Sequence, residues 1–142
     1  MPAPLPEPWR VLYFARHRHD DPDETRPGRA FLDTCPLAAM VRLIAILDVV
    51  AAAPPPQFTG GGMWEAMHGS MGGYYEVRVR FQKQLYRLFC LLERQEVGLP
   101  ANGIVIITGM VKKNETAFTA GDYAAVRALG DEYRSRVPRR VG

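Results

Sequence analysis

The chain has 142 residues, 47% of them apolar, which is enough for one compact core and too little for a second independent domain. A formal charge of +3 draws acidic partners only weakly. Its distribution says more: six cations meet seven anions up to Gly60, and twelve meet eight beyond it, so the positive excess belongs to the second half.

The opening residues alternate Pro2, Pro4, Pro6 and Pro8 with small or apolar ones. Alternate prolines remove backbone donors and favour polyproline II, so residues 1–8 are expected to be an extended lead-in to a single domain over 9–142. They lack the basic, apolar and small-residue succession of a signal peptide, which predicts a cytoplasmic protein. Trp9 to Arg16 reads as a strand covered on both faces, with Val11 and Tyr13 on one parity and Leu12 and Phe14 on the other. His17 to Gly28 is polar and turn-rich, and Arg29 to Thr34 suits a short helix. His17, His19 and the acids after them match no defined metal-ligand spacing and read as a solvated loop.

Pro36 suits the first turn of a helix running to about Ala53, with Met40, Leu43, Ile44 and Leu47 at helical spacing and Pro54, Pro55 and Pro56 stopping it. The run from Leu37 to Ala53 is the longest apolar one, but Arg42 and Asp48 interrupt it. Each costs about 2.5–3.5 kcal/mol at a bilayer centre, so the run is a core helix and not a membrane span. Cys35 and Cys90 have unrelated contexts and no Cys-x-x-Cys spacing, as expected of small reduced core residues.

Gln57 to Gly73 holds six glycines, too many for a helix, and is expected to be a mobile loop. Without a Gly-Lys-Ser/Thr it is not a P-loop. Met63 and Trp64 are expected to anchor it, or else to stack on bases. In the following YYEVRVRF, Tyr75, Val77, Val79 and Phe81 share one strand face while Glu76, Arg78 and Arg80 share the other. Gln82, Lys83 and Gln84 connect it to LYRLFCLLE, and IVIITGMV resumes after the Gly98 to Gly103 turn region. Three neighbouring antiparallel strands are the economical arrangement. Thr119 to about Val137 reads as a last helix with Tyr123, Val126, Leu129 and Tyr133 as its apolar stripe. The order predicts an α+β domain: an antiparallel sheet, made of the N-terminal strand and three consecutive later ones, packed by helices.

Tyr75-Glu76-Val77-Arg78, then Tyr86-Arg87-Leu88-Phe89, then a strand ending Gly109-Met110-Val111-Lys112-Lys113-Asn114 together resemble the HigB-like branch of the RelE/ParE toxin superfamily. The resemblance covers Tyr74 to about Tyr133. The chain departs from that pattern after the lysines, where a frequent proline is missing, and its glycine-rich loop is longer. The resemblance implies a small RelE-like fold and the toxin of a type II toxin–antitoxin system. It further implies an endoribonuclease that inhibits translation by cutting messenger RNA on the ribosome, and a cognate antitoxin as partner.

Metal-independent RNA cleavage uses the neighbouring 2′-hydroxyl as nucleophile and needs cations for the crowded phosphorane. On the family pattern Arg78, Arg87, Lys112 and Lys113 are the catalytic candidates, and neighbouring lysines on a strand must point to opposite faces. His68, in the glycine-rich loop, is a candidate general acid or base. Arg80 and Lys83 are candidates for RNA contact, and no cofactor or metal is expected. Two alternatives stay open: a toxin of the same fold acting on DNA gyrase without nuclease chemistry, and a phage-type interaction protein lacking catalysis.

Overall fold

The computed structural model describes residues 7–53, 56, 62–113 and 116–142. Most of the expected lead-in, two of the three stop prolines and residues 57–61 of the expected loop therefore lie outside the described residues. The elements follow in the order β1 (Arg10–Tyr13), α1 (Pro27–Thr34), α2 (Leu37–Ala52), β2 (Trp64–Ala66), β3 (Tyr74–Phe81), β4 (Gln84–Glu93), β5 (Gly103–Lys113) and α3 (Ala120–Arg134). They build one five-stranded sheet in the spatial order β1-β5-β4-β3-β2.

The α+β class and the consecutive antiparallel strands β3, β4 and β5 are as expected. Two features add to that picture. β1 lies parallel to β5, from Arg10 opposite Gly103 to Tyr13 opposite Ile106, so the sheet is mixed. The helices α1 and α2 carry the chain across one face to the far edge, and a meander walks back to β1. The glycine-rich stretch, expected to be loop throughout, also contributes an edge strand, β2. There Trp64 is fully buried and stacks on Tyr75, with ring centroids 5.2 Å apart. Burial of one large aromatic against another outweighs the weak local propensity of a three-residue strand.

Helices cover both faces. On one, α1 and α2 pack Leu32, Leu43 and Leu47 against Val77, Val79, Leu88 and Ile106. On the other, Val126 and Tyr133 of α3 meet Phe89, Leu91, Val105 and Ile107. A continuous apolar run such as Ile104 to Ile107 suits a strand covered on both sides. A register shift between Phe89 and Cys90 of β4 leaves Ile107 unpaired in the ladder, while Ile106 and Ile107 lie in opposite cores, as strand neighbours do. Cys90 is fully buried, which raises the pKa of its thiol, and Cys35 is half-buried; both are free.

Phe81 pairs with Gln84 across a two-residue turn, so Gln82 and Lys83 take positive φ values of 49° and 62°. Such turns match the right-handed twist of the flanking strands. α3 ends at Arg134, three residues before the expected limit, and the last residues return beside β1, where Phe14 bridges Val141. No helix among the described residues is long and apolar enough to cross a membrane.

Candidate functional site

α3 covers only part of its sheet face. Towards the β3–β4 turn that face carries Glu76, Arg78 and Arg80 from β3, Leu85 and Arg87 from β4, and Met110 and Lys112 from β5. Arg78 stands directly opposite Arg87, Arg87 opposite Met110, and Leu85 opposite both Arg80 and Lys112. Like charges facing each other across neighbouring strands are destabilising. The chain resolves this with Glu76, which is only 4% exposed. Its Oε1 accepts from Arg78 Nε at 2.8 Å and its Oε2 from Arg87 Nη1 at 3.2 Å. A second carboxylate, Glu65 of β2, accepts from Arg78 Nη2 at 2.9 Å.

The N-terminus of α3 closes the cluster from above. Arg87 Nη1 donates to the Tyr123 hydroxyl at 3.1 Å, and the guanidinium carbon lies 4.4 Å from the centre of the Phe118 ring. Lys112 Nζ is 3.1 Å from Asp122 Oδ2. Asp122 also completes a capping box: its amide donates to Thr119 Oγ1 at 3.1 Å, and its Oδ2 accepts from the Thr119 amide at 2.8 Å. The Thr119 amide first, and Lys112 second, hold the Asp122 carboxyl below the usual carboxylate range. One capping residue thus ties the helix start to a cation on the sheet.

Arg78, Arg87 and Lys112 are therefore brought together as the sequence suggested, each with an acidic partner. Two guanidinium groups keep unused donors: Arg87 Nη2 and Arg78 Nη1 make no hydrogen bond among the described residues, and Arg87 Nε is buried without a partner. An anion oxygen is the natural complement to such donors.

The structure does not bring Lys113 or His68 to this place. Lys113 pairs with Gln84 and shares its face with Val111 and Gly109, across the sheet from Lys112. His68 is exposed and precedes a short 3₁₀ turn, Gly69–Met71. Neighbouring Met67 bonds to Tyr74, four residues along β3 from Arg78 and so about 13 Å away. Arg80 and the turn residue Lys83 are exposed beside the cluster. Trp64 is a core anchor and Met63 is exposed. His17 and His19 lie side by side, ring centroids 4.6 Å apart, and among the described residues no three His, Cys, Asp or Glu side chains are placed to share an ion.

Sequence reasoning missed three contributors and underweighted a fourth. Tyr123 could face the site, but its helical spacing favours the core; its hydroxyl turns to Arg87 while its ring packs on Phe89 and Phe118. Glu65 fell inside the expected loop, and Phe118 carried no local signal. Asp122 was detectable, because Thr119-Ala-Gly-Asp122 has capping-box spacing.

Comparison with known proteins adds no assignment: no family model matches the chain, and neither a curated protein nor a solved structure matches it.

Proposed function

We propose that this chain is the toxin of a type II toxin–antitoxin pair, similar to the HigB-like branch of the RelE/ParE superfamily, and that it cuts messenger RNA on the ribosome. The observation that carries this reading is the half-buried Arg87. It is held by Glu76 and Tyr123, flanked by Arg78 and Lys112, and has donors to spare. In the proposed step the 2′-hydroxyl oxygen attacks the adjacent phosphorus and the bond to the 5′-oxygen breaks. A 2′,3′-cyclic phosphate and a 5′-hydroxyl remain, and the proton lost by the nucleophile is balanced by one gained by the leaving oxygen. Arg87 and Arg78 stabilise the phosphorane oxygens through donors already oriented by Glu76. Lys112 and Tyr123 are the proton-bearing groups beside them. The cluster's carboxylates are taken up by its cations, so the chemistry proposed runs on guanidinium donors without a metal.

One observation favours a second reading, a toxin or interaction protein without nuclease activity. Glu65, Glu76 and Asp122 offset the charges of Arg78, Arg87 and Lys112, which weakens the pull of the cluster itself on a polyanion. Expression of the chain alone, followed by mapping of new 5′ ends in translated messages, separates the two. Under the first reading new ends appear within translated codons and vanish with Arg87→Ala. Unchanged messages select the second: growth arrest then points to a non-nuclease toxin, which a supercoiling assay tests on gyrase, and harmless expression points to an interaction protein.

A further inference from the structure

The Arg78 amide donates to the Met63 carbonyl at 3.0 Å, and beyond that bond no described residue of β2 pairs with β3. An open cleft of about 270 Å³ lies at this edge, lined by Arg42, Met63, Arg78, Arg80, Leu85 and Arg87 among others, with no carboxylate among its lining residues. Arg42 comes from α2, on the other side of the sheet. It reaches round the edge of β3 and donates from Nη1 to the Arg80 carbonyl at 3.0 Å. That bond holds a guanidinium at the cleft while leaving its other donors without a partner among the described residues.

The four arginines are not equivalent. Glu76 and Glu65 offset Arg78 and Arg87, whereas no described carboxylate lies within ion-pair distance of Arg42 or Arg80. Two charges without a carboxylate partner among the described residues, in one concavity, raise the local concentration of anions, and paired guanidinium forks suit phosphate oxygens. From Arg78 to Arg80 the strand advances about 6.6 Å, comparable to the step between neighbouring phosphates of an extended nucleic-acid strand.

We propose that this cleft is a phosphodiester-binding subsite anchored by Arg42 and Arg80. It takes a backbone phosphate next to the one at Arg87; that neighbouring placement rests on the nuclease reading, while the subsite itself does not. Sequence alone marked Arg42 only as an interruption of an apolar helix, and topology is what brings it to the basic edge.

The test uses a fluorescent twelve-residue oligothymidylate, which lacks the 2′-hydroxyl and is not cut by the proposed step. Its affinity for the full chain is measured by anisotropy across a salt series. Arg42→Gln and Arg80→Gln should each weaken binding severalfold at low salt and flatten the log–log salt dependence by about 0.7, the value of one single-strand phosphate contact. Arg42→Lys, which keeps the charge and loses the fork, should bind no more tightly than the wild type and at least as tightly as Arg42→Gln, and Arg10→Gln, an exposed arginine on the far edge strand, should match the wild type. The subsite is refuted if Arg42→Gln and Arg80→Gln behave like Arg10→Gln, if Arg42→Lys binds more weakly than Arg42→Gln, or if the wild type does not bind. Cleavage of ribosome-bound message is scored separately. Binding that depends on Arg42 and Arg80 without any cleavage rejects the nuclease reading alone, and cleavage with unaltered binding rejects the subsite alone.

Discussion

Two guanidinium groups facing each other across adjacent strands repel unless an anion sits between them, and Glu76 supplies that anion from the neighbouring position on the same face of β3. Breaking a buried ion pair by deleting one partner typically costs about 3–5 kcal/mol. Arg78 keeps Glu65 and some solvent, so Glu76→Ala should destabilise the chain by about 3 kcal/mol, at the lower end of that range. Urea unfolding with an unchanged slope checks this. A loss under about 1 kcal/mol, the scale of surface pairs, would mean that Glu76 does not organise the cluster. Arg87→Ala acts differently. On the proposed nuclease reading it removes a transition-state donor, worth about 2.7–4 kcal/mol or a factor of about 10²–10³ in rate. The expected outcome is a folded protein with rate reduced by that factor, and wild-type cleavage by a folded Arg87→Ala chain contradicts the role given to Arg87. Strand parity made Arg78 and Arg80 legible as members of one basic face, and the resemblance to the HigB-like pattern added Arg87. The depth of Glu76 and the turn of Tyr123 towards Arg87 were not legible, because both depend on how α3 seats over the sheet.

At the scale of elements, the start of α3 links helix stability to the site. Thr119→Ala removes half of the capping box and should cost about 1 kcal/mol. Asp122 gives the same junction an acid sensitivity. Its carboxyl is held below its ordinary value in the folded chain, so its contribution is fully present above the normal carboxylate range and is lost as pH falls through the depressed value. Asp122→Asn should therefore flatten the fall of the thermal midpoint below about pH 4. An unchanged acid limb would remove Asp122 from this role. The strand β3 and the helix α2 were readable from periods of two and of 3.6, and β4 and β5 from short apolar runs bounded by turn residues. β2 was not, since three residues among glycines carry no period and its stability comes from Trp64 lying on Tyr75. The pairing of β1 was hidden too, because its partner, β5, lies some ninety residues away and is set by the path of the whole chain.

Over the whole molecule, helices on both faces leave the β3–β4 turn end of the sheet as the exposed basic region, carrying Arg80, Lys83 and Lys113, with Arg42 of α2 bonded to the Arg80 carbonyl. The count of charges by halves anticipated an excess in the sheet-forming part, although it could not foresee how much of that excess Glu65, Glu76 and Asp122 would neutralise. What the cluster lacks is a ready base: a lysine side chain is ordinarily an acid at neutral pH, and His68 stands at the other end of β3. Such a site should be slow on free RNA and depend on a partner that holds the 2′-hydroxyl in line with its phosphate, since orientation alone can remove several kcal/mol of barrier. The deciding measurement compares initial cleavage rates by purified protein on one message, free or engaged in the ribosomal decoding site. Cleavage confined to the engaged message, and absent with Arg87→Ala, is the result expected. Equal rates on both forms, or no cleavage of either, would contradict a ribosome-dependent nuclease.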